Sequence, residues 1–254
     1  MDSWHRSDIT YAHMGGLIKH GLLHGRTNVA EWLVLGHKEA STPPDGYIVS
    51  FALFHEHGLT IPPHPFFRGL MHHYQIELQH LNPNGIQHIV AFIAMCEGYL
   101  GIEPHFELWR YFFSISLIKK KERGWETPVL MGCTGIHLQG QRAAEYMPCQ
   151  LSRSNKGWHL HWFYLKDDIA APLPVFSGRL IEEVPPSWLW EPPIKEKKRM
   201  RDLLEAIVFL KTHGLRGAGV IGGYHMRRVT PLMTHVLPLY AMMPDAQLIG
   251  TTLA

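Results

Sequence analysis

The chain reads as an α+β protein, mostly helical, with a small antiparallel three-stranded sheet in the middle of the chain. Three observations predict it. Apolar residues recur at helical spacing through "FFRGLMHHY" and "IQHIVAFIAM", and again through "MRDLLEAIVFL" near the end. Between them, from "KKKERGWETP" onward, the pattern changes to short apolar runs separated by turn residues. With 46% hydrophobic and 18% charged residues, the 254-residue chain can bury a substantial core, and it is read as one domain over 1–254.

The first 45 residues read as an arm and a helix. In "SDITYAHMGGLIKHGLL" Ser7 or Asp8 is the cap, Ile9, Leu17 and Ile18 are the apolar positions, and Gly21 is the stop. Gly15 and Gly16 weaken it. "KEASTPPDG" is a loop. A helical core follows over 46–118. There "YIVSFALFHEHGL" fits a strand or a helix by its apolar content, and its end at Gly58 favours helix. The prolines of "IPPHP" suit a helix start, with Phe66, Phe67, Leu70, Met71 and Tyr74 at helical spacing after them. In "LNPNG", Asn82 caps and Pro83 takes the first helical position of the next helix. Ile86, Ile89, Val90, Ile93 and Leu100 form its apolar stripe, widened by Phe92, Met95 and Tyr99. The opposite side carries Gln87, Ala91, Ala94 and Gly98, small enough for another backbone to approach, so this helix belongs at the centre of the domain. Glu103 and Pro104 restart a short helix through Phe106, Leu108, Trp109 and Phe112.

The sheet is expected over 128–168, from "VLMGCTGIHLQ", "EYMPCQL" and "GWHLHWFYLKD", the last two joined by a tight "SRSNKG" turn. In the third strand Trp158, Leu160, Trp162 and Tyr164 share one face, and His159, His161 and Phe163 the other. "APLPVFSG" and "EVPPSWLWEPP" are proline-rich connectors. C-terminal helices are expected over 184–230: an amphipathic one with Met200, Leu203, Leu204, Ile207 and Leu210 as its apolar face and Gly214 as its stop, then one through "VIGGYHMRRV". Residues 231–254 read as an extended tail. There is no internal repeat.

Composition excludes several classes. Lys and Arg total 24 against 22 for Asp and Glu, so no global basic field drives binding to nucleic acid, although a local patch stays open. Cys96, Cys133 and Cys149 are odd in number and widely spaced, which gives neither a disulfide framework nor a zinc pair and fits a reducing compartment. "MDSWHRSDITYAHMGG" has no apolar signal region, and the apolar run Ile89 to Cys96 is far short of the ~18 residues of a membrane span. An intracellular protein, nuclear or cytoplasmic and without a membrane partner, is expected.

Several candidate sites were weighed against plainer readings. Cys96 sits late in its helix, where the dipole disfavours a thiolate, so it reads as a buried hydrophobe. Glu97 points along the apolar stripe and needs a partner; Arg68, His105 and Arg110 are the nearest in sequence. His159 and His161, alternate residues of a strand, reach one face and would hold a metal if a third ligand such as His137 joined them. His72 and His73 diverge on a helix, and His55-Glu-His57 lacks zinc-protease spacing. Two basic runs offer possible nucleic-acid contacts: Lys119, Lys120 and Lys121, and then Lys195, Lys197, Lys198, Arg199 and Arg201. The second run suits the solvated face of a helix, and neither shows interleaved aromatics. No phosphate loop, dinucleotide fingerprint, nucleophile elbow or His-Glu-x-x-His motif is present.

A resemblance adds to this reading. Gly58 to Pro62 form a Gly-Leu-x-x-Pro opening, Leu81 to Asn84 a Leu-x-Pro-Asn helix start, Cys96 to Ile102 a Cys-Glu-x-x-Leu-Gly-Ile core, and Pro104 to Trp109 a Pro-His-Phe-x-Leu-Trp helix. With these the chain resembles the plant domain family called gypsy-type transposon, and the similarity is read to continue through "SNKGWHLHWFYLKD" and into "RRVTPLM", over roughly residues 8–250. The resemblance makes Pro83, Asn84, Cys96, Glu97, Leu100, Gly101, Pro104, His105, Trp109, Trp158 and Trp162 a structural signature. It implies origin in a long-terminal-repeat retroelement and brings no catalytic residue and no cofactor. Family members often run on into long charged segments, so the chain reads as a fragment or a degenerate copy.

The residues test the family's name. A retroelement polymerase needs Tyr-x-Asp-Asp, whereas Asp167-Asp168 follows "FYLK"; the Asp-Thr/Ser-Gly of a protease and the Cys-x-x-Cys of a zinc knuckle are absent. The expectation is therefore a non-enzymatic, retrotransposon-derived structural or protein-interaction module, with an unknown protein partner or with itself as partner. Its alternatives are a nucleic-acid-associated protein of a mobile element and a metal-dependent enzyme using His159 and His161.

Overall fold

The computed structural model describes residues 6–23, 32–35, 42–122, 124–147, 149, 151, 155–167, 172–189 and 194–226. The fold is α+β, but among the described residues its strands form three separate antiparallel sheets rather than one. The tail expected over 231–254 lies outside the described residues, as do "RRVTPLM" and Asp168.

Helix α1 (Tyr11–Lys19) is capped by Thr10, not by Ser7 or Asp8. The Thr10 hydroxyl accepts from the His13 N–H, and His13 Nδ1 accepts from the Thr10 N–H at 3.1 Å. Ser7 and Asp8 tie the arm to a later segment instead. The Ser7 hydroxyl donates to the Trp162 carbonyl, and the Asp8 N–H donates to the Leu160 carbonyl at 2.8 Å.

"YIVSFALFHEHGL" is both strand and helix. The β-branched Ile48 and Val49 lie in β2 (Tyr47–Phe51), and α2 (Ala52–Glu56) starts at the next residue. With β1 (Trp32–Leu33) and β7 (Trp162–Lys166), β2 builds a three-stranded sheet in the order β1-β7-β2, with Trp32 opposite Leu165 and Val49 opposite Tyr164. Trp162 through Leu165 are all buried, because the central strand is covered on both faces. The second face, expected to carry His159, His161 and Phe163, instead holds Phe163 and Leu165 in the core. The segment before it, Trp158–Leu160, is a 3-10 turn.

The sheet expected over 128–168 does not form as one unit. Strand β6 (Thr134–Leu138) pairs with β3 (Phe113–Leu117), placing Ile115 opposite Ile136, and β7 pairs with strands far upstream. "EYMPCQL" contains no strand among its described residues, where Glu145 to Met147 form turn and coil with Tyr146 and Met147 buried. A local meander leaves one face to solvent, whereas pairing with β2 and β3 lets Phe51, Phe113 and Ile115 share a buried core. A third sheet is the ribbon of β4 (Lys119–Glu122) and β5 (Trp125–Pro128), which pairs with no other strand among the described residues.

The helical elements follow the sequence closely. Helix α3 (Pro65–Tyr74) is capped by His64 and ends at Gln75 in the left-handed region, and α4 (Pro83–Met95) is capped by Asn82 with Pro83 in its first turn. Of its residues from Gly85 to Met95, only Gln87 escapes burial. A π-helical turn, Cys96–Leu100, then widens the helix before Gly101 ends it at φ 64°. That turn takes Tyr99 and Leu100 out of phase with the stripe, so both are only half-buried. Helix α5 (Phe106–Phe112) packs its Trp109 edge-on to Phe92 and stacks it on Phe113 at 4.4 Å. The short α6 (Pro186–Leu189) and the amphipathic α7 (Lys197–Thr212) follow. Helix α8 (Gly217–Tyr224) lies against α4. Its Gly223 leaves room for the Tyr99 hydroxyl, which a Cβ would meet at 2.7 Å and which donates to the Gly219 carbonyl.

Candidate functional site

The widened turn after α4 carries Glu97 toward the start of α3. There the Nε2–H of His64 donates to Glu97 Oε1 at 2.7 Å, while His64 Nδ1 accepts the Phe66 N–H at 3.0 Å. Because Nδ1 accepts a backbone hydrogen, Nε2 is the protonated nitrogen, and one ring both caps α3 and meets a buried carboxylate. His64 is not among Arg68, His105 and Arg110, the partners expected from sequence distance. His64 lies 33 residues from Glu97, and only the antiparallel return of the chain brings them together.

The other signature residues are packing and capping groups. Pro83 is buried in the first turn of α4, and the Asn84 side-chain oxygen accepts from Asn155 at 3.1 Å. His105 caps α5 through Nδ1, Pro104 precedes it half-buried, and Trp109 Nε1 donates to the Tyr74 hydroxyl at 3.1 Å. Trp158 stacks on Phe54 at 5.1 Å, and Trp162 is fully enclosed. Burial pushes the Cys96 thiol well above its usual range, with the Glu97 charge adding to it. Burial likewise raises Cys133 to about 12 and Cys149 to about 11.

The histidines do not assemble. His159 and His161 leave the strand on which they were placed: His159 belongs to the 3-10 turn, and His161 is exposed with its ring 5.6 Å from that of His13. His137 lies on β6, whose partner is β3, and its Nε2 faces the Ser116 hydroxyl at 3.0 Å. Among the described residues no group of three or more His, Cys, Asp or Glu could hold a metal ion. Ser50 and His55 form a serine–histidine pair at 2.8 Å, but both are buried and His55 Nδ1 is committed to the Leu59 carbonyl.

Sequence reasoning missed Glu77. Its carboxylate accepts from the Ser177 N–H at 2.8 Å and also from the Ser177 hydroxyl and the Gln79 amide. His80 Nε2 donates to the Arg179 carbonyl at 2.8 Å, so "ELQH" straps the proline-rich connector onto the core. Three polar residues, Glu77, Gln79 and His80, ahead of a capped helix were the available signal.

Two surfaces remain. The basic run at α7 is exposed, with Lys197, Lys198, Arg199 and Arg201 on its first turns and no acidic residue in the first turn. Arg199 lies 3.5 Å from Glu196 and Lys195 precedes the helix. The other run belongs to the ribbon, where Lys119, Lys121 and Glu126 meet Glu182 and Glu183 around a cleft of about 540 Å³. Ile118 and Val184 also line it and are exposed, and Trp125 on the same ribbon is 77% exposed. Lys121 pairs with Glu126 at 3.2 Å, and the Thr127 hydroxyl donates to the Lys120 carbonyl. This surface has an apolar centre with both signs of charge beside it.

Among the described residues no helix is long and apolar enough to cross a membrane. No curated protein and no solved structure matches the chain. Residues 48–117, the span from β2 through α5 to the end of β3, match the family described as putative gypsy type transposon, the family that the motifs from Gly58 to Trp109 resemble.

Proposed function

We propose that this chain is a non-enzymatic module of a plant retroelement that acts by pairing with a second copy of itself through the ribbon cleft. The observation that carries the reading is the exposure of Ile118 and Val184 beside Lys119, Lys121, Glu126, Glu182 and Glu183, which line one cleft. A two-fold interface places a patch against its own image, so a patch holding neighbouring lysines and glutamates is complementary to itself. The intermixed glutamates make the same patch a poor match for a polyanion.

Sedimentation velocity over a wide concentration range tests it. Self-association is expected for the wild type, weakened at least tenfold by Ile118→Asp. A monomer at every concentration removes the reading.

A second reading, association with nucleic acid, draws on α7. Three consecutive basic residues open that helix, where the dipole already favours anions. Binding of single-stranded or duplex oligonucleotides that falls steeply with salt and is lost in Lys197→Glu/Lys198→Glu supports it. No binding at low salt removes it.

A further inference from the structure

Arg110, on α5, is 9% exposed, and its Nε and Nη1 have no hydrogen-bond partner. Arginine cannot shed its proton, so burial cannot neutralise it as it would a lysine or a histidine. Among the described residues no ion pair joins Arg110 to a carboxylate. A buried cation in that condition carries a large desolvation cost that only a counter-charge offsets.

The Tyr74 hydroxyl accepts a hydrogen bond from the Arg110 guanidinium, which leaves Nε and Nη1 open. Trp109 Nε1 donates to the Tyr74 hydroxyl, which leaves the phenol hydrogen to give away. The Trp188 indole donates to the Tyr74 carbonyl at 2.8 Å and so holds α6 against the end of α3. On α6 the Ser187 hydroxyl is buried without a partner, and the Ser187 backbone hydrogen-bonds the His73 ring. Burial raises the Tyr74 phenol and lowers the His73 imidazole, and the Arg110 charge reaches both.

We propose that Arg110 is the centre of a site for a small oxyanion, phosphate or a compact carboxylate, with the Ser187 and Tyr74 hydroxyls as neutral donors. The guanidinium supplies the charge and planar N–H groups suited to two oxygens of one anion. The burial of Arg110 favours a small free ion over a phosphodiester chain.

Calorimetric titration with inorganic phosphate, against sodium chloride of equal ionic strength, tests this on the whole chain. Phosphate is expected to bind with one-site stoichiometry and to raise the melting temperature beyond chloride. Arg110→Met removes the buried charge with little change in volume, so this variant is expected to fold and to lose the response to phosphate. Ser187→Ala, at a half-buried position, is expected to weaken phosphate at least threefold. Adding a singly phosphorylated peptide separates the sources: a free-ion site binds it at least tenfold more weakly than phosphate, and tighter peptide binding overturns the free-ion assignment. Equal effects of phosphate and chloride overturn the proposal, as does a phosphate response undiminished in Arg110→Met or Ser187→Ala.

Discussion

Glu97 and His64 are joined by a 2.7 Å hydrogen bond across 33 residues of sequence, both largely withdrawn from solvent. The bond links the most distinctive motif of the chain to the start of α3, and it gives that motif a structural purpose. His64→Ala removes a helix cap and a hydrogen bond to a buried carboxylate at once, so it is expected to cost about 2–4 kcal/mol in urea unfolding. Glu97→Gln, which keeps an acceptor for Nε2–H, is expected to cost about 1–2 kcal/mol.

The cysteines are expected to be inert in the folded protein. With Cys133 pushed to about 12, Cys149 to about 11 and Cys96 well above its usual range, the thiolate fraction near pH 8 is small. Alkylation by iodoacetamide is expected to run about a hundredfold slower than for a free thiol, and all three are expected to react in denaturant. Rapid labelling of Cys96 in native protein would contradict the packing around it.

Stability is expected to fall with acid through two histidines. Burial lowers His55 to about 4, the Leu59 carbonyl partly opposing it, and lowers His88 to about 4 with help from His137. Unfolded imidazoles titrate near 6.5, so below that pH the unfolded state binds protons the folded state refuses. Stability is then lost between about pH 6.5 and about 4, by up to about 3 kcal/mol for each histidine. His88→Leu is expected to flatten its share of the slope in denaturant titrations at pH 5 and 7.

Gly58 is expected to tolerate no side chain. Its φ is 98°, and a Cβ there would meet Val90 at 2.9 Å and Tyr224 at 3.3 Å. Gly58→Ala combines left-handed strain with overpacking and is expected to cost about 2–4 kcal/mol by thermal unfolding. The Tyr224 hydroxyl donates to the Gly58 carbonyl at 2.9 Å, so the same substitution is expected to loosen α8.

The sequence made the local grammar of the helices readable. Asn82 and Pro83 start α4, and Met200, Leu203, Leu204, Ile207 and Leu210 mark the α7 stripe, because caps and periodicity depend on residues within a few positions. Long-range pairing was not readable. Strand β7 pairs with Tyr47–Phe51 rather than with its neighbours, and nothing within "WFYLK" names that partner. The π turn at Cys96–Leu100 was hidden for a related reason, since one extra residue per turn leaves no mark on composition. Glu97 was singled out as needing a partner, yet its partner lay upstream in "IPPHP", beyond any local spacing rule. The ribbon of β4 and β5 was not expected, because "KKKERGWETP" was read only for its basic run and the change of pattern after it.

The account rests on the Cys-Glu-x-x-Leu-Gly-Ile segment building the fold rather than performing chemistry. A double-mutant cycle between His64→Ala and Glu97→Ala, measured by urea unfolding at pH 7, addresses that most directly. A coupling of about 1 kcal/mol or more is expected, since each substitution removes the same charge-assisted hydrogen bond. Additive effects, with coupling under about 0.5 kcal/mol, would contradict it.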